Sequence, residues 1–154
     1  MLTIETVGNI KKGSRITFFN GIYTIILGIL YLVFLKTFLK MNFRSIEVIW
    51  QLFEKYNPAL AALFIKMMVL KGIFVIAFGI IFIAFSMYIL KKKDKNAWAV
   101  LFFIGIIFWA SLLTLEILSK NWYTISASLF GWITFVIGML LPIKYYMQRD
   151  YSEY

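Results

Sequence analysis

Four stretches of this chain carry no charged residue: residues 16–35, 72–90, 96–115 and 121–143. They contain 20, 19, 20 and 23 residues. At about 1.5 Å of rise per residue, a helix of that length crosses the roughly 30 Å hydrocarbon core of a bilayer. The pattern predicts spanning helices over about 16–36, 68–90, 97–116 and 122–144. The first run is longer than the roughly 7–15 apolar residues of a cleavable signal peptide. Leu35-Lys36-Thr37-Phe38 also lacks the small residues of a cleavage site, so the segment reads as a retained first span.

Between the first two runs lies the longest polar connection. Ile46, Ile49, Trp50 and Phe53 recur there at helical spacing, with Glu47, Gln51, Glu54 and Lys55 on the other side. This predicts an amphipathic helix over about 45–56, N-capped by Ser45 and lying in the membrane interface. Asn57-Pro58 restarts the chain, since proline is tolerated at a first helical position. The fold class is therefore an all-α integral membrane protein. It is read as a single membrane domain over residues 1–154: a four-transmembrane-helix bundle, up-down-up-down, with a short interfacial amphipathic helix between helices 1 and 2.

Composition agrees with a lipid solvent. Hydrophobic residues are 62% and charged residues 15% of the chain, against about 45–50% and about 25% in soluble domains. The net charge of +9 would suggest nucleic acid in a soluble protein. Here most of the lysines and arginines flank apolar runs, where they meet lipid headgroups, so no nucleic acid partner is expected. The basic loop 91–96, with Lys91, Lys92, Lys93 and Lys95, marks a cytoplasmic turn. Both termini are then cytoplasmic in a multi-pass protein of the cell membrane. Trp98, Trp122, Tyr123, Tyr145 and Tyr146 stand at the ends of runs, where an aromatic belt falls.

The chain has no cysteine and no histidine. That removes disulfides, palmitoylation, Cys/His metal sites and any histidine-dependent general base. None of the seven carboxylates falls at the middle of a span. A proton-coupled carrier normally places one there. No catalytic residue, cofactor or metal site is expected.

Glycine carries a further signal. Gly21 and Gly28, Gly72 and Gly79, and Gly131 and Gly138 are each seven apart. Small residues extend the rows as Ser14-Gly21-Gly28, Gly72-Gly79-Ser86 and Thr124-Gly131-Gly138. A period of seven keeps a residue on one seam of a helix pair, and small residues there let backbones approach in lipid. A faint two-plus-two duplication is also legible. Phe18-Phe19-Asn20-Gly21-Ile22 echoes Phe102-Phe103-Ile104-Gly105-Ile106.

Lys71 and Glu116 stand at corresponding distances from the 91–96 turn, one before it and one after. They form a candidate ion pair at the outer membrane boundary, of order 1 kcal/mol with water near. The function this supports is a small non-catalytic polytopic membrane protein, structural, accessory or assembly-forming. The alternative is a small oligomeric channel or transporter, or a binder of lipid or another hydrophobic ligand. Expected partners are the bilayer and a homo-oligomer or membrane-protein partner.

Overall fold

The computed structural model describes residues 4–148, with side-chain surroundings for residues 8–147. Arg149, Asp150 and Glu153 lie outside the described residues. The helices are α1 (Ile4–Val33), α2 (Leu35–Arg44), α3 (Trp50–Tyr56), α4 (Pro58–Lys92), α5 (Lys95–Leu118), α6 (Trp122–Leu140) and α7 (Ile143–Gln148). Four of them, α1, α4, α5 and α6, are long and apolar enough to cross a membrane, as the helices of a multi-pass membrane protein are.

Several bounds differ from those the charge pattern predicts. α1 starts at Ile4 rather than near 16, because Lys11, Lys12 and Arg15 are good helix formers and cannot end a helix by themselves. α4 likewise continues ten residues before the expected start at 68. Its 35 residues reach about 52 Å, more than a bilayer core requires. Pro58 stands in its first turn, but Asn57 makes no side-chain cap bond. α6 stops at Leu140 instead of 144. Pro142 lacks an N–H and cannot continue the ladder, so a turn intervenes before α7.

The predicted interfacial helix over 45–56 is corrected. Residues 45–49 are a turn and only Trp50–Tyr56 is helical, with a separate helix, α2, ahead of the turn. Ser45 is no N-cap; it follows α2, and its hydroxyl bonds the carbonyls of Asn42 and Ser119 at 2.6 Å each. α2 is the more amphipathic piece. Lys36, Lys40 and Arg44 share its exposed face, and Leu39 and Phe43 are buried. The turn closes as the amides of Glu47 and Val48 reach back to the carbonyls of Arg44 and Phe43. Glu47 stands at φ 62, in the left-handed region. Phe43, Trp50, Phe53 and Phe64 then form one aromatic cluster that ties α2 and α3 to the start of α4.

α1 packs on α4 and α6, and α5 closes the other side against α6 and, more loosely, α4. The interior is polar in places and the outside apolar. Asn20, Thr24, Glu116 and Ser128 are buried, whereas Phe19, Phe103, Ile107 and Phe130 are exposed. Lipid inverts the soluble rule in this way, since the outer surface needs no polar groups and the interior can satisfy them.

The other end of the molecule is sealed by aromatic rings. The Trp98 ring stacks on Tyr146 at 5.0 Å, and its Nε1 donates to the Met139 carbonyl at 3.2 Å. Trp98, Tyr145 and Tyr146 therefore pack inward rather than forming a belt, while Trp122 and Tyr123 are each 75% exposed. Between α4 and α5 the turn is tight. Lys93 takes φ 52, and the Asp94 side chain accepts from the Ala97 amide at 2.9 Å. Asp94→Ala is expected to lower stability by about 1 kcal/mol, read by thermal unfolding in detergent.

Candidate functional site

The glycine rows of the first two long helices meet each other. A Cβ added to Gly21 would lie 2.9 Å from the Gly79 carbonyl oxygen, and one on Gly79 would lie 2.8 Å from that of Gly21. Gly28 and Gly72 repeat the arrangement one heptad on, at 2.8 and 3.2 Å. Residue numbers rise along α1 as they fall along α4. Ser14 and Ser86, the small residues that extend the two rows, line the same narrow space.

The row on α6 behaves differently. Gly131 faces the Trp109 ring of α5, while Gly138 faces Thr17 of α1. The reciprocal contact is Gly105 of α5 under the Phe135 ring. α5 and α6 thus pack ring into notch, whereas α1 and α4 pack backbone on backbone. The faint sequence duplication is not matched by a common packing chemistry. Where Gly131 leaves its carbonyl accessible, Asn20 donates to it at 2.7 Å and to the Thr134 hydroxyl at 2.8 Å.

Lys71 and Glu116 are brought together at the end that carries α2 and α3. The Lys71 ammonium bonds Glu116 Oε1. The same oxygen accepts from the Tyr31 hydroxyl at 2.7 Å. The Lys71 Nζ also sits 4.3 Å from the centroid of the Tyr31 ring, a cation–π geometry. The cluster is closed off inside the protein: Glu116 is 0% exposed and the Lys71 side chain 18%. The modest energy expected with water near is therefore corrected upward for the loss of either partner, because a stranded interior charge is costly.

Tyr31 is the residue missed by sequence reasoning. Thr17, Thr24 and Tyr31 are seven apart, a second row beside the glycine row, and all three are buried. The heptad could have placed Tyr31 on the seam, though not beside a carboxylate on α5. Glu116 Oε2 is buried without a protein partner, as are Trp109 Nε1 and Asn20 Oδ1. Of the described carboxylates, Glu47 lies beside Lys40 and Arg44, and Glu54 is exposed on α3. Among the described residues no three Cys, His, Asp or Glu side chains stand close enough to hold a metal ion.

Comparison of the chain with protein-family models, with curated proteins and with solved structures gives no match.

Proposed function

We propose that this chain is a non-catalytic membrane protein with a structural or accessory role. Its four long helices cross the bilayer up-down-up-down as one bundle. α2 and α3 lie at one interface, and both termini are on the cytoplasmic side with the basic 91–96 turn. The observation that carries the reading is the closed interior. Two glycine pairs bring α1 and α4 into backbone contact, and rings of Trp109 and Phe135 fill the notches at Gly131 and Gly105. The space among Ser14, Thr17, Ser86 and Gly138 is about 10 Å³, room for about one water at most.

One observation favours the transport reading instead. Ser14, Thr17, Asn20 and Thr24 line the buried face of α1, and Asn20 Oδ1 and Ser86 Oγ have no protein partner there. Flux separates the two readings. In proteoliposomes, proton and potassium leak is expected to equal that of protein-free vesicles, and leak that scales with protein would sink the structural role. Topology is read with single cysteines at exposed positions. Cysteines at Glu54 and Lys120 should label from outside intact cells and one at Lys92 should not; labelling of Lys92 alone reverses the orientation.

A further inference from the structure

α4 and α5 touch least of the neighbouring long helices. Where α1 and α4 meet through glycines, α4 and α5 present Phe74, Phe78 and Phe108, which hold the backbones apart. The result is a groove of about 530 Å³, open along its side and lined by Lys71, Ser111 and otherwise apolar side chains. That volume is within the range of roughly 300–1,000 Å³ usual for small-molecule sites.

Its length inward from the Lys71–Glu116 pair fits one leaflet. On α5 the lining runs from Leu115, next to Glu116, to Ile104, about 16 Å of helix, or half of a roughly 30 Å hydrocarbon core. The one charged group, Lys71, lies toward the α2 and α3 end, with Met67 and Leu70 beyond it on α4. Its ammonium has three N–H donors, and Glu116 Oε1 takes one. Buried Glu116 and the Tyr31 ring fix the lysine's position, so the head of the groove is built rather than incidental. The Lys71–Glu116 pair is formally neutral. It presents little net field for a particular lipid charge.

We propose that this groove holds one acyl chain of a phospholipid, with the phosphodiester oxygens on the Lys71 ammonium. The proposal rests on the four long helices crossing a bilayer. Phosphodiesters occur in zwitterionic and anionic lipids alike, so both classes are bound. Ser111 is the small exposed residue of the groove wall, and Ile107 is an exposed residue beside it.

The test is native mass spectrometry of the full chain in detergent, titrated with phosphatidylcholine or phosphatidylglycerol. Ser111→Trp fills the groove and is expected to weaken binding of both lipids about tenfold, equivalent to about 1.4 kcal/mol. Ile107→Trp fills it from the neighbouring turn and should do the same, should Ser111→Trp prove unstable. Ser126→Trp, at an exposed serine of α6 away from the groove, should bind as the unmodified protein. The double variant Lys71→Gln/Glu116→Gln removes the ammonium without stranding the carboxylate and should also lose binding. Unchanged binding in both tryptophan variants overturns the acyl site. Binding of phosphatidylglycerol alone, or unchanged binding by the double variant, overturns the phosphodiester contact. Failure of the membrane reading would show separately, as a chain that stays in solution without detergent.

Discussion

Gly79→Leu is expected to lower the thermal stability of the protein in detergent sharply, while Gly8→Leu leaves it near the starting value. Even the first carbon of a side chain at Gly79 would stand 2.8 Å from both the Gly21 carbonyl oxygen and the Ile25 amide nitrogen. Both atoms belong to the backbone of α1, which cannot swing aside as a side-chain tip can. Relief requires the two helices to separate along the seam, which also breaks the Gly28–Gly72 contact. Overpacking of a filled interior costs typically about 1–3 kcal/mol, occasionally more. Two rigid contacts at one position put Gly79 at the upper end. Gly8 lies on the same helix as Gly21, and a Cβ there meets nothing within 4 Å. Circular dichroism melts of the two variants check the contrast. Equal melting would mean that the backbones at the seam can part freely.

Lys71→Met is expected to destabilise the protein by about 3–5 kcal/mol, the usual cost of stranding one member of a buried ion pair. The Glu116 carboxylate would keep only the Tyr31 hydroxyl, with Oε2 already unpartnered. Adding Glu116→Gln should recover much of that loss. A neutral amide still accepts from Tyr31 and no longer needs a cation. The same double change made by charge reversal, Lys71→Glu with Glu116→Lys, would move the ammonium into a fully buried position and is expected to rescue less. Melts of the single variant and the two doubles give the coupling directly. Single and double variants that unfold together would show that the three side chains do not act as a unit.

The glycines and the charges exchange the roles that sequence reading ordinarily gives them. In soluble helices a glycine just past the last turn marks the stop, because it enters the left-handed region without a Cβ penalty. Here Glu47, Lys93 and Lys120 take those positions, at φ 62, 52 and 50. None of the glycines has a positive φ. Gly21, Gly28, Gly72 and Gly79 lie inside helices, where their use is close approach. A reader who looks for glycine stops therefore misses the end of α2, and no proline or glycine marks the change from α1 to α2 at Phe34 either. Lys36 looked like the end of a span, yet with Lys40 and Arg44 it forms the exposed stripe of a new helix.

What the sequence alone determined is whatever depends on the solvent and on local periodicity. Runs of about twenty uncharged residues set the number of long apolar helices, since a buried backbone in lipid must bond within its own segment. The spacing of seven placed Gly21, Gly28, Gly72 and Gly79 on seams. Position along the chain brought Lys71 and Glu116 to similar distances from the 91–96 turn. The tertiary structure alone decided which seam meets which. Every apolar helix face is chemically alike to its neighbours, and only shape discriminates among them. Glycine against glycine joins α1 to α4, and rings against glycine join α5 to α6. The bulk of Phe78 and Phe108 leaves the groove between α4 and α5. Tyr31 reached Glu116 because the α1–α4 contact and the loose α4–α5 contact together set the rotation of three helices. No pattern within any one of those helices records that rotation.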